Sequence, residues 1–322
     1  MLYLIPSLMD YSHILTLCGV LLSFFLTVFI TNAVKGKLPT DIGRAYAVNA
    51  QAAKGKPRGA GIIFVLISAV LMMIFCRLSI EYAVYAVMLV CAMLSGYLDD
   101  ASRNPWSEYK KALIDLVISV ITALIFALCN GTDIKLLIMG TTVTLPVWLY
   151  VILGSVLVWA SINVTNCTDG VDGLSSTLSL ISLGGFAYAF SRLGAADAGF
   201  IPAILIFAAS IAAYLLFNAS RSLLLMGDAG SRAIGVFFAI CSMKSGSPLI
   251  FLALCLVFIL DGGLGLIKVA LKRFLKIEIF VNTRMPLHDH FRKNKSWDDA
   301  QTVARFMIIH LLVVFVTLWL LV

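Results

Sequence analysis

The chain has 322 residues, 61% of them hydrophobic and only 13% charged, with a formal net charge of +7. A soluble domain carries about a quarter charged residues, so this one has too little charge to coat a globule of its size, and most of its apolar surface must face lipid. That excludes a soluble enzyme, and with no compact basic domain it also excludes a nucleic-acid partner.

About 20 apolar residues cross the hydrocarbon core as a helix. Such windows recur near 13–34, 60–78, 82–98, 111–129, 144–163, 173–192, 199–217, 230–243, 247–271 and 302–322. Their length and unbroken apolarity predict helices; a barrel would show short alternating segments instead. The expected fold is all-α: a polytopic integral membrane protein of about ten transmembrane helices, one transmembrane domain over 1–322. The start lacks the basic segment of a cleaved signal peptide. The seven cysteines are odd in number, form no metal-type pair and fall mostly within or at the ends of spans, which suits packing rather than disulfides.

Most of the 24 Lys and Arg residues lie in the odd-numbered connections, including Lys54, Lys56, Arg58, Lys111, Arg232 and Lys293. Positive charge marks the cytoplasmic side. Both termini are therefore expected outside, with cytoplasmic loops near 35–59, 99–110, 163–172, 218–230 and 272–301. Net positive charge also suits an anionic lipid or a phosphorylated substrate.

The acids sort onto that same face. Asp99 and Asp100 end the third helix in "SGYLDDASRN". Asp169 and Asp172 sit in "NVTNCTDGVDGL", Asp228 in "LLLMGDAGSRAIG", and Asp289 between His288 and His290 in "MPLHDHF". One such acid could simply cap a helix, as Asp169 or Asp172 could in "TDGVDGL". A set of them is harder to dismiss, because an Asp–Asp pair flush against a span repels itself unless a cation or proton neutralises it, and acids at membrane depth are costly and usually functional. Carboxylates with few histidines suit Mg²⁺, which keeps positions for water and phosphate; no P-loop spacing is present. Asp261, in "VFILDGGLGLIKV", lies inside the ninth window beside two glycines. It marks either a helix break that opens a lateral groove for a lipid chain, or a buried acid bonded to a neighbouring helix.

Together these motifs resemble the polyprenyl-phosphate N-acetylhexosamine-1-phosphate transferase superfamily, and within it the bacterial phospho-N-acetylmuramoyl-pentapeptide transferase family. "LDD" at Leu98–Asp100 is similar to its aspartate pair, "NVTNCTDGVDGL" to its NxxNxxDGxDGL loop, and "GDAGS" at Gly227–Ser231 to its third aspartate motif. "PLHDHF" at Pro286–Phe291 resembles its histidine loop, and "KGKPRGAG" at Lys54–Gly61 occupies the place of its TPTMGG-like stretch. The resemblance implies a Mg²⁺-dependent transfer of phospho-N-acetylmuramoyl-pentapeptide from UDP-MurNAc-pentapeptide to undecaprenyl phosphate, giving lipid I and UMP for peptidoglycan synthesis. It implies a multi-pass protein of the bacterial inner membrane, with its active site on the cytoplasmic side, and is compatible with a homodimer. Carried over residue by residue, Asp228 is the Mg²⁺ ligand, and Asp99 or Asp100 orients or deprotonates the lipid phosphate. Asn166, Asp169 and Asp172 line the nucleotide pocket, His288 and His290 lie near the diphosphate or sugar, and Lys54 contacts substrate.

The chain departs from the pattern in three places. Asp289 replaces the middle histidine, Arg292 follows Phe291 where an acid is usual, and Lys56 and Arg58 stand where threonines are expected. These departures leave the reaction class intact but keep open a sibling that takes GlcNAc-1-phosphate from UDP-GlcNAc. Two other classes fit less well. "GYLDD" with "MGDAG" loosely resembles an intramembrane aspartyl protease, which would leave the remaining polar loops unexplained. A transporter favours repeats and midplane sites, and only Asp261 approaches the middle here.

Overall fold

The computed structural model describes residues 12–41, 54–102, 104, 106–137, 139–192 and 198–321. Parts of two expected cytoplasmic loops, residues 42–53, 103 and 105, lie outside the described residues.

The chain folds as a helical, polytopic membrane protein. In chain order the helices are α1 (Ser12–Val34), α2 (Gly61–Phe75), α3 (Ile80–Asp100) and α4 (Glu108–Asn130), then α5 (Val147–Thr168), α6 (Leu174–Arg192), α7 (Ile201–Asn218) and α8 (Gly227–Lys244). A segmented run follows: α9 (Ile250–Leu254), α10 (Leu256–Phe258), a π-helical turn (Ile259–Gly263), α11 (Leu264–Ala270) and a second π-helical turn (Leu271–Leu275). The chain closes with α12 (Leu287–Asn294) and α13 (Asp299–Leu320). Among the described residues, seven helices are long and apolar enough to cross a membrane, and α2 is a shorter apolar helix. One element was not expected: an antiparallel hairpin, β1 (Asp133–Leu136) with β2 (Thr141–Thr144), joining α4 to α5. Its eight residues are too few and too polar to register against a window sized for membrane spans.

Helix starts follow local chemistry. The Ser79, Ser107 and Asp298 side chains accept from the backbone N–H three residues on, at 3.1, 3.3 and 2.7 Å, and so cap α3, α4 and α13. Helix α8 is the axis of the molecule. Every one of its residues except Asp228 is buried, and it packs most extensively against α3 and α5. Glycines allow that closeness: a Cβ on Gly96 of α3 would lie 2.3 Å from the Asp228 backbone, and one on Gly61 of α2 only 2.1 Å from the Gly230 nitrogen. At the periphery, α1, α4 and α13 leave Phe29, Leu128 and Phe315 exposed, which suits a lipid-facing rim.

At the end of the bundle away from Asp228, Lys244 is buried against Glu81 at 3.1 Å and Asn130 at 2.9 Å, with Tyr85 donating to Glu81 at 2.8 Å. Each charge there is paired and hydrogen-bonded, as burial requires. The cluster pins α3, α4 and α8 together. All seven cysteines are free.

Candidate active site

The first residues to assemble are the three aspartates. Asp99 and Asp100 end α3 and Asp228 opens α8; one carboxylate oxygen from each lies within 4.8 Å of the others. The α3–α8 contact through Gly96 puts them there. Helix α8 has no side-chain cap of its own, and Asp100 supplies one from α3: its Oδ2 accepts from the Asp228 N–H at 2.8 Å. A carboxylate is well placed at a helix N-terminus, where unpaired N–H groups and the macrodipole favour negative charge. Gly227, with φ of +67°, is required twice over, because a Cβ there would also lie 2.2 Å from Asp100 Oδ2.

Two cations balance the cluster. Asp99 pairs with Lys111 and accepts from the Trp106 N–H at 2.8 Å. Arg58 reaches Asp100 at 2.8 Å, Asp41 at 3.0 Å and Asp228 at 3.5 Å. Its segment is laid alongside the α8 entrance by backbone bonds from Leu225 to Pro57 and from Ala60 to Leu225, at 2.8 and 3.0 Å. Burial disfavours the charged guanidinium, but Asp100, Asp228, Asp41 and Asp169 more than offset this and hold its pKa above the usual value. Arg58, one of the positions where the chain departs from its resemblance, thus contacts the acids directly. Lys54, where the resemblance places a substrate contact, is exposed.

The "NVTNCTDGVDGL" stretch ends α5 and turns across the same face. Asn166 donates to Ser231 Oγ at 3.1 Å, hooking this loop to the "GDAGS" motif. Asp172 is not a helix cap; its Oδ2 accepts from the Ser222 N–H at 2.9 Å and pairs with Lys56 at 3.3 Å. Asp169 follows directly on α5. Burial, together with the nearby carboxylates of Asp228, Asp100 and Asp172, pushes its pKa up to about 7 against the opposing pull of Arg58.

The histidine segment is helix α12. His288 is buried at 2% exposure, its Nδ1 2.7 Å from Asp261 Oδ2, while its backbone N–H donates to Asp261 Oδ1 at 2.8 Å. Asp261 is a buried acid bonded to a neighbouring helix, the second of the two alternatives, and it sits in a π-helical turn within the ninth window. His288 Nε2 lies behind the acidic loop, where a Cβ on Gly170 would approach to 2.3 Å. His290 accepts from the Arg284 N–H at 3.2 Å. Arg292 is bound by Asp299 at 2.8 Å and by Asp289 at 3.4 Å, and donates to the Gly170 carbonyl at 3.3 Å. A second buried ion pair that the sequence did not single out, Asp115 with Arg232, ties α4 to α8 just behind the aspartates.

An apolar groove of about 650 Å³ runs along α5 between the hairpin and the segmented run, lined by Ile134, Tyr150, Trp159, Val164, Ile259 and Leu266, among others. The π-helical turn forms part of its wall.

Comparison with known proteins agrees with this geometry. The glycosyl transferase family 4 model matches residues 82–246. The phospho-N-acetylmuramoyl-pentapeptide-transferase of Treponema pallidum (strain Nichols) is 38% identical over 303 residues, covering 89% of this chain and 84% of that protein. The enzymes of that name from Dictyoglomus thermophilum and Helicobacter pylori (strain Shi470) are 29% and 27% identical, covering 81% and 91% of this chain and 81% and 90% of those proteins. With its aspartates gathered by the α3–α8 contact and its sequence matched along most of its length, the chain belongs to the glycosyl transferase family 4 and, within it, to the phospho-N-acetylmuramoyl-pentapeptide-transferases.

Proposed function

We infer that this chain transfers phospho-N-acetylmuramoyl-pentapeptide from UDP-MurNAc-pentapeptide to undecaprenyl phosphate, releasing UMP and leaving lipid I in the membrane. The observation that carries the reading is the convergence of Asp99, Asp100 and Asp228 within 4.8 Å at one end of the bundle, in a chain that also carries an apolar groove along α5. One substrate of such an enzyme is polar and the other carries a long hydrocarbon chain, so its site must open to both media. The groove offers a place for the polyprenyl chain, with its phosphate at the aspartates.

The donor set fits Mg²⁺: three carboxylates and no thiol or imidazole, a hard-oxygen site. Asp228 would hold the ion, with Asp99 and Asp100 beside it. When bound, Mg²⁺ supplies positive charge against the diphosphate and the departing UMP. The chain's own residues do the rest. Asp100 and Arg58 form a pair that orients the lipid phosphate, and Asp99, held by Lys111, completes the negative wall. An oxygen of the lipid phosphate attacks the phosphorus bonded to the sugar; the bond from that phosphorus to the UMP oxygen breaks, and UMP leaves with the electron pair. A phosphate monoester is largely ionised near neutral pH, so positioning matters more than a strong base. Asn166, Asp169 and Asp172 wall the nucleotide side, with Lys56 available to a phosphate oxygen.

The fuller topology belongs to the same reading: ten spans, both termini outside, five loops in the cytoplasm, and the aspartates at the cytoplasmic face of the inner membrane. The test is UMP release by the purified protein with undecaprenyl phosphate and Mg²⁺, with UDP-MurNAc-pentapeptide and UDP-GlcNAc offered in parallel. Release with the first alone is expected. Release with UDP-GlcNAc alone would move the chain to another glycopolymer, and release with neither would overturn the reading.

A further inference from the structure

Helix α12 carries the histidines expected to meet substrate, yet its two most buried polar side chains turn toward protein. His288 is 2% exposed and Arg292 8%. Both converge on one residue of the acidic loop. His288 Nε2 occupies the space a Cβ of Gly170 would need, and Arg292 donates to the Gly170 carbonyl. We propose that Asp261, His288 and Arg292 form a strut that sets the Asp169–Asp172 turn from behind, making them positioning residues for nucleotide-sugar binding. This rests on the function inferred above.

The strut closes on itself. Asp261 uses one oxygen for the His288 N–H and the other for Nδ1, so the ring cannot rotate without leaving a buried carboxylate unpaired. The turn that carries Asp261 is pressed onto α5: a Cβ on Gly262 would lie 2.6 Å from the Val164 carbonyl oxygen. Helix α5 is also the element that ends in Asp169. The acidic loop is therefore gripped at its root by the π-helical turn and at Gly170 by α12.

The two departures in α12 belong together in this arrangement. Asp289, in place of a histidine, lies 3.4 Å from Arg292 and 3.9 Å from Arg284. Arg292, in place of an acid, needs two carboxylates, and Asp289 and Asp299 supply them. The exchange keeps a buried charge paired while giving Gly170 a donor that an acid could not provide.

The test combines hydrogen exchange of residues 166–173, which needs no substrate, with UMP affinity and steady-state kinetics on the purified protein. Asp261→Asn and Arg292→Met are expected to speed exchange in that segment and weaken UMP binding about tenfold, with KM rising more than kcat falls. Arg292→Lys, which keeps the charge, should recover most of that affinity. Gly170→Ala should weaken binding by itself, and Gly170→Ala with His288→Ala should bind UMP more tightly than Gly170→Ala alone, because the collision is gone. This pair also decides the matter if Asp261→Asn does not fold. Unchanged exchange and unchanged UMP affinity, with loss confined to kcat, would overturn the strut and make His288 a directly reacting group. If the wild-type protein released no UMP from any nucleotide sugar, the function would fall, while the exchange comparison would still judge the strut.

Discussion

In the proposed reaction the chemistry turns on Asp228, which alone of the α8 residues escapes burial and lies close to both Asp99 and Asp100. Asp228→Asn keeps the size and removes the charge, and UMP release should fall about 10²–10³-fold; a variant within about threefold of wild type would remove Asp228 from the mechanism. Asp169 makes a separate prediction. Its folded pKa of about 7 lies above the ordinary aspartate value, so the fold favours the neutral acid. Stability linked to it is present at low pH and lost as pH rises through about 7. With a chelator present, the wild-type melting temperature should drop between about pH 5 and pH 8 by more than that of Asp169→Asn. Mg²⁺ should shrink that difference; a wild type that gains on Asp169→Asn as pH rises would refute the assignment. Asp169, Asp172 and Asp228 were legible in the sequence because acids beside apolar windows are conspicuous. Arg58, Lys56 and Arg292 were legible only as oddities, since a cation in a loop is ordinary until its partners are known.

At the scale of elements, close helix approach sets the site. The Gly96 and Gly61 positions leave no room for a methyl against α8, whereas Gly184 of α6 has nothing within 4 Å of where its Cβ would be. Gly96→Ala should therefore cost about 1–3 kcal/mol of stability from overpacking and cut turnover as well, because the Asp228 backbone would have to move. Gly184→Ala should leave turnover unchanged and cost no stability, if anything adding about 0.5–1 kcal/mol. Thermal unfolding in detergent alongside the UMP assay checks both, and a harmless Gly96→Ala would mean that the α3–α8 contact has slack. Apolar windows located the helices well, since span length and hydropathy depend on local composition. The hairpin after α4 escaped because it is short and polar, and the segmented ninth window escaped because a π-helical turn uses the same apolar residues as an unbroken helix. Only the two glycines after Asp261 hinted at it.

For the whole molecule, the distribution of Lys and Arg carries the proposed orientation of the chain. Single cysteines at Lys54 and Lys293, both exposed, should react with a membrane-impermeant thiol reagent only from the cytoplasmic side; one at Met139 in the hairpin, also exposed, should react from outside. Native cysteines would first be replaced, and the reverse pattern would invert the proposed topology. By itself the sequence determined that this is a helical membrane protein and led to the expectation that its motif acids share one face, because lipid imposes span length, apolarity and charge asymmetry on every local stretch. Which acids touch, which cation faces which acid, and whether a histidine meets substrate or braces a loop were decided only by the tertiary structure. Those pairings join Asp100 to Asp228 and Asp261 to His288 across 128 and 27 residues of chain. They depend on how closely glycines let the helices approach, and no single stretch of sequence carries that information.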